Sequence, residues 1–160
     1  MTLTTTDEAL CRQLEPYVCT TKERFAVLKK LNEAGIPTVV WLSPILPFIN
    51  DTKENLQTIL DYCNETKVYG IICFSMGLTL REGNREYFYQ QLDRLLPGLK
   101  EKHQRIYGNR YEVTSLNNEG LMNMFYQRCQ QYGIVHDNQA IFSYLKKYEK
   151  KDKFEQLQLF

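Results

Sequence analysis

The side chains with the widest chemical reach are five cysteines, Cys11, Cys19, Cys63, Cys73 and Cys129. A zinc site or an iron–sulfur cluster needs several thiolates or imidazoles at one point, which short CxxC-type spacings signal. Here the count is odd and the spacings are wide. Five free thiols in a reducing, cytoplasmic setting are the expectation, with Cys63 and Cys129 as small core residues. His103 lies in the charged run Lys100–Arg105 and reads as solvated, while His136 precedes a helix start and reads as a capping or packing residue. Neither histidine has a serine or cysteine partner at a recognised spacing, so a nucleophilic triad has no support. Gly77 and Gly83, in MGLTLREGNRE, mark a loop before a helix, but no GxGxxG or GxxxxGK[ST] phosphate loop is present. Tyr87, Tyr89, Tyr107, Tyr111 and Tyr126, with Arg85, Arg94, Arg105 and Arg110 nearby, have the chemistry to stack on bases. Half-buried tyrosines on helix surfaces are the plainer reading.

These residues sit in a chain of 160 residues with 20 Lys+Arg against 19 Asp+Glu, a net charge of +1. Hydrophobic residues make up 43%, enough for one domain with a real core and too many for global disorder. A near-zero charge gives no long-range pull toward nucleic acid or anionic lipid. Met1–Leu10 lacks a secretory pattern. The apolar stretch Ile36–Ile49 is broken by Pro37, Pro44 and Pro47 and is too short to span a bilayer, so no membrane association is expected.

The periodicity alternates between strand and helix. Thr2–Thr6 is short and β-branched, and reads as a strand. A helical stretch over Asp7–Leu14 follows, ended by Glu15-Pro16. Thr20 and Glu23 form a capping box for a helix carrying Phe25, Leu28 and Leu31, closed by Gly35 and Pro37. Thr38–Leu42 is a near-continuous apolar run, which suits a strand buried on both faces. Asp51–Glu54 predicts a second capping box, and Leu56, Ile59, Leu60 and Cys63 form one helical stripe. Val68–Ser75 reads as another buried strand. Asn84 opens a helix with Phe88, Leu92, Leu95 and Leu96 on one face, ended by Pro97-Gly98, and a short helical piece runs to Ile106. Further on, helices open at Asn117 and Asp137; the second carries Ile141, Phe142, Leu145 and Tyr148, and a charged tail over Lys146–Lys153 frays. Strand-then-helix, three times, implies parallel strands with helical crossovers. Three strands cannot close a barrel. The alternatives are a three-layer open sheet and an arc of a barrel.

The blocks TLTTTDEALCRQLEP, TTKERFAVLKKLNEAGIP and VVWLSPILPFIND occur in that order. They carry Thr5-Thr6-Asp7, Leu14-Glu15-Pro16, Glu23-Arg24, Ala34-Gly35-Ile36-Pro37, Ser43-Pro44, Pro47 and Asn50-Asp51. The set resembles the second half of radical S-adenosylmethionine (radical SAM) proteins, in the branch similar to spore photoproduct lyase and often labelled DNA-repair-photolyase-like. The resemblance implies a partial (βα) TIM-like barrel over residues 1–108, with about three parallel strands and helices on one side. Residues 109–160 would be a C-terminal helical extension of the same domain. It also implies a cofactor pair in the full-length parent: S-adenosylmethionine, bound to the open iron of an iron–sulfur cluster held by a CxxxCxxC motif. None of the five cysteines rebuilds that motif. The chain therefore reads as a fragment that begins at the family's TTxD strand, with Met1 an internal residue of a longer protein. It is expected to hold neither cofactor and to be inactive alone.

In this family the cofactor lies across the mouth where the strands end. The corresponding cofactor-binding candidates are Thr4 and Thr6 on the first strand, Ser43 and Pro44 after the second, and Ser75 after the third. A Thr4 hydroxyl would bond the ligand's carboxylate or ribose, and backbone groups of Ser43–Ile45 would meet adenine. A Glu15–Arg24 ion pair would frame the site. On the residues alone, these are equally plain strand residues and a surface pair. A different class of function also fits: a non-catalytic interaction domain, working as a homo-oligomer or with a separate N-terminal half. An unpaired first strand and an opened barrel face over Val40, Leu42, Ile72 and Phe74 would drive association. The family label suggests nucleic acid and the charge balance does not, so that partner stays open, as does the substrate.

Overall fold

Residues 1–147 are described by a computed structural model, and Tyr148 and the tail beyond it lie outside the described residues. The helices start where side chains can satisfy their free amides. Asp7 accepts from the amides of Ala9 and Leu10 to open α1 (Glu8–Leu14). At α2 (Thr21–Glu33) the capping box is complete: Thr20 accepts from Glu23 N, and the Glu23 carboxylate accepts from Thr20 N at 2.7 Å. Helix α3 (Lys53–Glu65) starts one residue later than the sequence suggests. Thr52 is its cap and accepts from Asn55 N at 3.1 Å, so Asp51 and Glu54 do not form a box. Its stripe of Leu56, Ile59, Leu60 and Cys63 is buried as the spacing predicts, and it packs against α6 (Asn118–Tyr132). The remaining helices are α4 (Asn84–Leu95), α5 (Leu99–Tyr107) and α7 (Asn138–Leu145).

The partial TIM-like barrel with three parallel strands does not form. Among the described residues the chain is mixed α/β, with seven helices and four short strands in two two-stranded sheets. Strand β1 (Val39–Trp41) pairs in parallel with β2 (Gly70–Ile72), in the register Val40 opposite Ile71. Single parallel bridges, Thr2 to Trp41 and Gly70 to Val135, flank this pair without becoming strands. The first segment stops pairing because side chains occupy its backbone. The Thr4 carbonyl accepts from the amides of Asn50 at 2.9 Å and Asn55 at 3.0 Å, Thr6 N donates to Asn55 Oδ1 at 2.8 Å, and the Thr21 hydroxyl donates to the Thr5 carbonyl. That edge is closed to a further strand.

The second sheet was not foreseen. Strand β3 (Gly77–Thr79), read from sequence as loop, pairs antiparallel with β4 (Glu112–Thr114), which lies in the stretch expected to be wholly helical. A side chain at Gly77 would put its Cβ 2.2 Å from the Val113 carbonyl oxygen, so glycine lets the two strands close.

Two apolar clusters result. The larger joins Leu28, Val40, Leu42 and Ile59 to Leu121 and Phe125. The smaller joins Leu80, Tyr89, Leu92, Tyr107 and Val113. The face expected to be open is therefore filled by the chain itself: Val40, Leu42 and Ile72 are buried, and of the four residues named for it only Phe74 is exposed. His103, expected in solvent, is fully buried beside the smaller cluster. It falls on the inward stripe of α5 with Leu99 and Tyr107, while Glu101, Lys102, Gln104 and Arg105 face out.

Candidate functional site

A cavity of about 760 Å³ lies between structures that belong to the two clusters. One wall is Thr4 with Asn50, the end of α1 at Gln13–Glu15, and Ser43, Pro44 and Leu46 after β1. The other is β3, β4 and the face of α4 that carries Asn84, Tyr87, Phe88 and Gln91, with Phe74 and Ser75 after β2 joining the two. A cavity of this size, lined by polar and apolar side chains together, has room for a small-molecule ligand.

Four of the five cofactor-binding candidates meet here: Thr4, Ser43, Pro44 and Ser75 all line the cavity. Thr4 is buried, Ser43 and Ser75 are half-buried and Pro44 is exposed. Thr6 is not among them. Two residues apart on one strand, Thr4 and Thr6 would share a face. The chain instead bends at Thr6, where the amide and, at 3.4 Å, the hydroxyl both turn to Asn55 Oδ1. The backbone groups available near Ser43 are also fewer than expected. Ile45 N donates to the Gly77 carbonyl at 3.0 Å, Pro44 has no amide hydrogen, and the Ser43–Pro44 bond is cis.

The Glu15–Arg24 pair forms, with 2.8 Å between Arg24 NH2 and Glu15 Oε2. Glu15 lines the cavity, and Arg24 stands behind it, nearly buried, with NH1 donating to the Thr2 carbonyl at 3.3 Å. The back wall had little sequence signal. Phe88 packs against the smaller cluster, as its helical stripe predicts, and with Leu95 also lines the cavity, while Glu112 carries no local pattern that marks it as a site residue.

The buried histidine stands apart from this lining. His103 Nδ1 lies 3.0 Å from Tyr89 Oη, and its Nε2 has no hydrogen-bond partner. Burial, and secondarily the charge of Arg85, lowers its pKa to about 4, so the ring is neutral at pH 7. Burial likewise raises the phenols of Tyr89 and Tyr107, and Tyr107 Oη donates to the Thr114 carbonyl at 2.7 Å.

The thiols do not fit an iron–sulfur cluster. Cys11, Cys63, Cys73 and Cys129 are buried and Cys19 is exposed, all free. Burial pushes the Cys73 and Cys129 thiols up to about 12 and Cys63 higher still, so thiolate, the form that binds metal, is scarce. Among the described residues no group of three or more His, Cys, Asp or Glu side chains is placed to hold a metal ion. None of the described helices is long and apolar enough to cross a membrane.

No protein-family model matches the chain, and no solved structure matches it. Three mycobacterial proteins do, one from Mycobacterium bovis and two from strains of Mycobacterium tuberculosis, each described only as an uncharacterised protein. Each is 30% identical over 101 residues, which is 63% of this chain and 29% of the relative. The matched stretch thus spans less than a third of each relative's length.

Proposed function

We propose that the chain is part of a radical SAM protein of the branch similar to spore photoproduct lyase and that, against the expectation that it holds neither cofactor, its cavity binds S-adenosylmethionine or a ligand of its class without the cluster. The reading is carried by one observation: Thr4, Ser43, Pro44 and Ser75, which come from three separate segments, line one cavity of about 760 Å³. Hydroxyls of Thr4, Ser43 and Ser75 suit a ribose or amino-acid carboxylate, and Glu15, whose Oε2 is taken by Arg24, has Oε1 left to accept from the ligand's amino group. Since the thiols do not fit an iron–sulfur cluster, no reaction step is assigned to this chain, and it is inactive alone in this reading. The extent of the mycobacterial relatives beyond the matched stretch is compatible with cluster ligands carried elsewhere in a longer parent. Free thiols favour a cytoplasmic setting.

Titration of the labelled chain with S-adenosylmethionine and S-adenosylhomocysteine, followed by amide NMR, tests the reading. Shifts are expected at Thr4, Ser43 and Ser75, with Thr4→Val and Ser75→Ala weakening binding several-fold. An unmoved spectrum at millimolar ligand overturns it.

A specific observation favours an interaction role as well. The exposed Trp41 ring lies 6.1 Å from that of Phe74 and 6.2 Å from that of Phe142, an aromatic group at the surface. With a net charge of only +1, a second copy of this chain meets little repulsion there. Sedimentation should give a dimer that Trp41→Ser dissociates. A clean monomer at tens of micromolar counts against this role.

A further inference from the structure

We propose that the end of the cavity between α4 and the β3–β4 sheet takes an uncharged or cationic ring-bearing ligand and rejects phosphate esters, nucleic acid strands included. The inference rests on the cavity being a ligand site, as read above, but not on S-adenosylmethionine being the ligand at the Thr4 end. Phosphate recognition uses Arg or Lys forks, or several free backbone amides. Among the described residues that line the cavity there is no Lys, Arg or His, and there are two carboxylates, Glu15 and Glu112.

Two cations beside lining residues are engaged, and a third, Arg85, next to Asn84, donates through NH2 to the carbonyls of Leu80, Asn109 and Arg110 while its buried NH1 has no partner among the described residues. Arg24 is held by Glu15 at 2.8 Å, and Arg94 donates through Nε and NH2 to Gln91 Oε1 at 3.1 and 2.8 Å. The N-terminus of α4, at Asn84, is a partial positive pole, and Glu86 in its first turn offsets it. Glu112 faces no ion-pair partner among the described residues, so a dianionic phosphate entering here meets net repulsion. The same end carries two rings on consecutive residues, Tyr87 exposed and Phe88 half-buried. An aromatic or cationic group gains stacking or cation–π contact from them.

A charge series on one ring separates the possibilities. The labelled chain, at low salt, is titrated with tyramine, tyrosol and the phosphate ester of tyrosol, and the amides of Tyr87, Phe88 and Glu112 are followed. Tyramine and tyrosol should shift these amides, and the ester should bind about tenfold more weakly or not at all. Glu112 is exposed on β4, so Glu112→Lys should leave the spectrum folded and bring the ester to parity with tyrosol or beyond it. An ester that binds the wild type as tightly as tyrosol overturns the proposal, as does a series in which no ring shifts those amides at millimolar concentration. The S-adenosylmethionine titration is read at Thr4 and Ser75. Silence there with an ordered series at α4 removes only the earlier reading, and the reverse removes only this one.

Discussion

The amide of Asn55 donates to the carbonyl of Thr4, 51 residues away, across 3.0 Å. The same side chain donates to the Asn50 carbonyl at 2.9 Å and accepts from Thr6 N at 2.8 Å. Asn55 thus substitutes for a neighbouring strand and holds Thr4 against the cavity wall.

Asn55→Ala strips partners from the Thr6 amide and the Asn50 carbonyl and leaves a small void. The expected loss of stability is about 2–3 kcal/mol, measured by urea unfolding. The Thr4 amide resonance should shift with it. A variant within experimental error of wild type would mean that water or the backbone replaces the side chain.

His103 makes stability depend on pH. Its neutral form is favoured in the fold, where its pKa falls from 6.5 to about 4. As pH drops below 6.5 the unfolded chain takes up the proton and the folded chain does not. Stability from this residue is whole above that pH and is lost progressively down to about 4, at up to about 1.4 kcal/mol per unit for one proton. His103→Gln removes the term. The advantage of wild type over this variant should shrink between pH 7.5 and pH 5 by about 1 kcal/mol or more, and a constant difference would argue against a buried neutral imidazole.

The same residue shows where sequence was readable and where it was not. Capping at Thr20 and the stripe from Leu56 to Cys63 depend on neighbours within two turns, and local spacing reveals them. His103 was legible too, since it shares a stripe with Leu99 and Tyr107, but the charges around it in Lys100–Arg105 masked the pattern. The pairing of β3 with β4 was not legible, because three-residue strands from distant segments carry almost no periodic signal. The barrel expectation failed at Thr4–Thr6, whose β-branched run reads as strand while Asn50 and Asn55 take its hydrogen bonds. Thr4, Ser43, Pro44 and Ser75 came from the family resemblance. The α4 wall opposite them had no motif.

Thiol reactivity should divide four to one. Only Cys19 is exposed, and thiolate is scarce at the buried Cys63, Cys73 and Cys129, whose pKa values are raised. An aromatic disulfide reagent at pH 8 should modify one thiol promptly and the other four only on unfolding, with Cys19→Ser abolishing the fast phase. Anaerobic iron and sulfide reconstitution should leave no cluster absorption band. Prompt reaction of several thiols, or a stoichiometric cluster, would show that the core opens.

Gly77 and Gly83 should respond very differently to one added methyl group. At Gly77 the new Cβ would lie 2.2 Å from the Val113 carbonyl oxygen and 2.9 Å from Thr114 Cα, both backbone atoms that cannot rotate away. Gly77→Ala must push β3 from β4, and the 3.0 Å bond from Ile45 N to the Gly77 carbonyl ties that shift to the segment after Ser43. The cost should be about 3 kcal/mol or more, with ligand-induced shifts lost at both ends of the cavity. Gly83, at φ +78° and ψ −46°, has no atom within 4 Å of an added Cβ, so Gly83→Ala meets only the strain of that positive-φ backbone, about 1–3 kcal/mol. Thermal unfolding of the pair separates the two effects, and ligand titration of Gly83→Ala should match wild type. Equal destabilisation of the two variants would mean that β3 and β4 are not held as close as the Gly77 backbone allows.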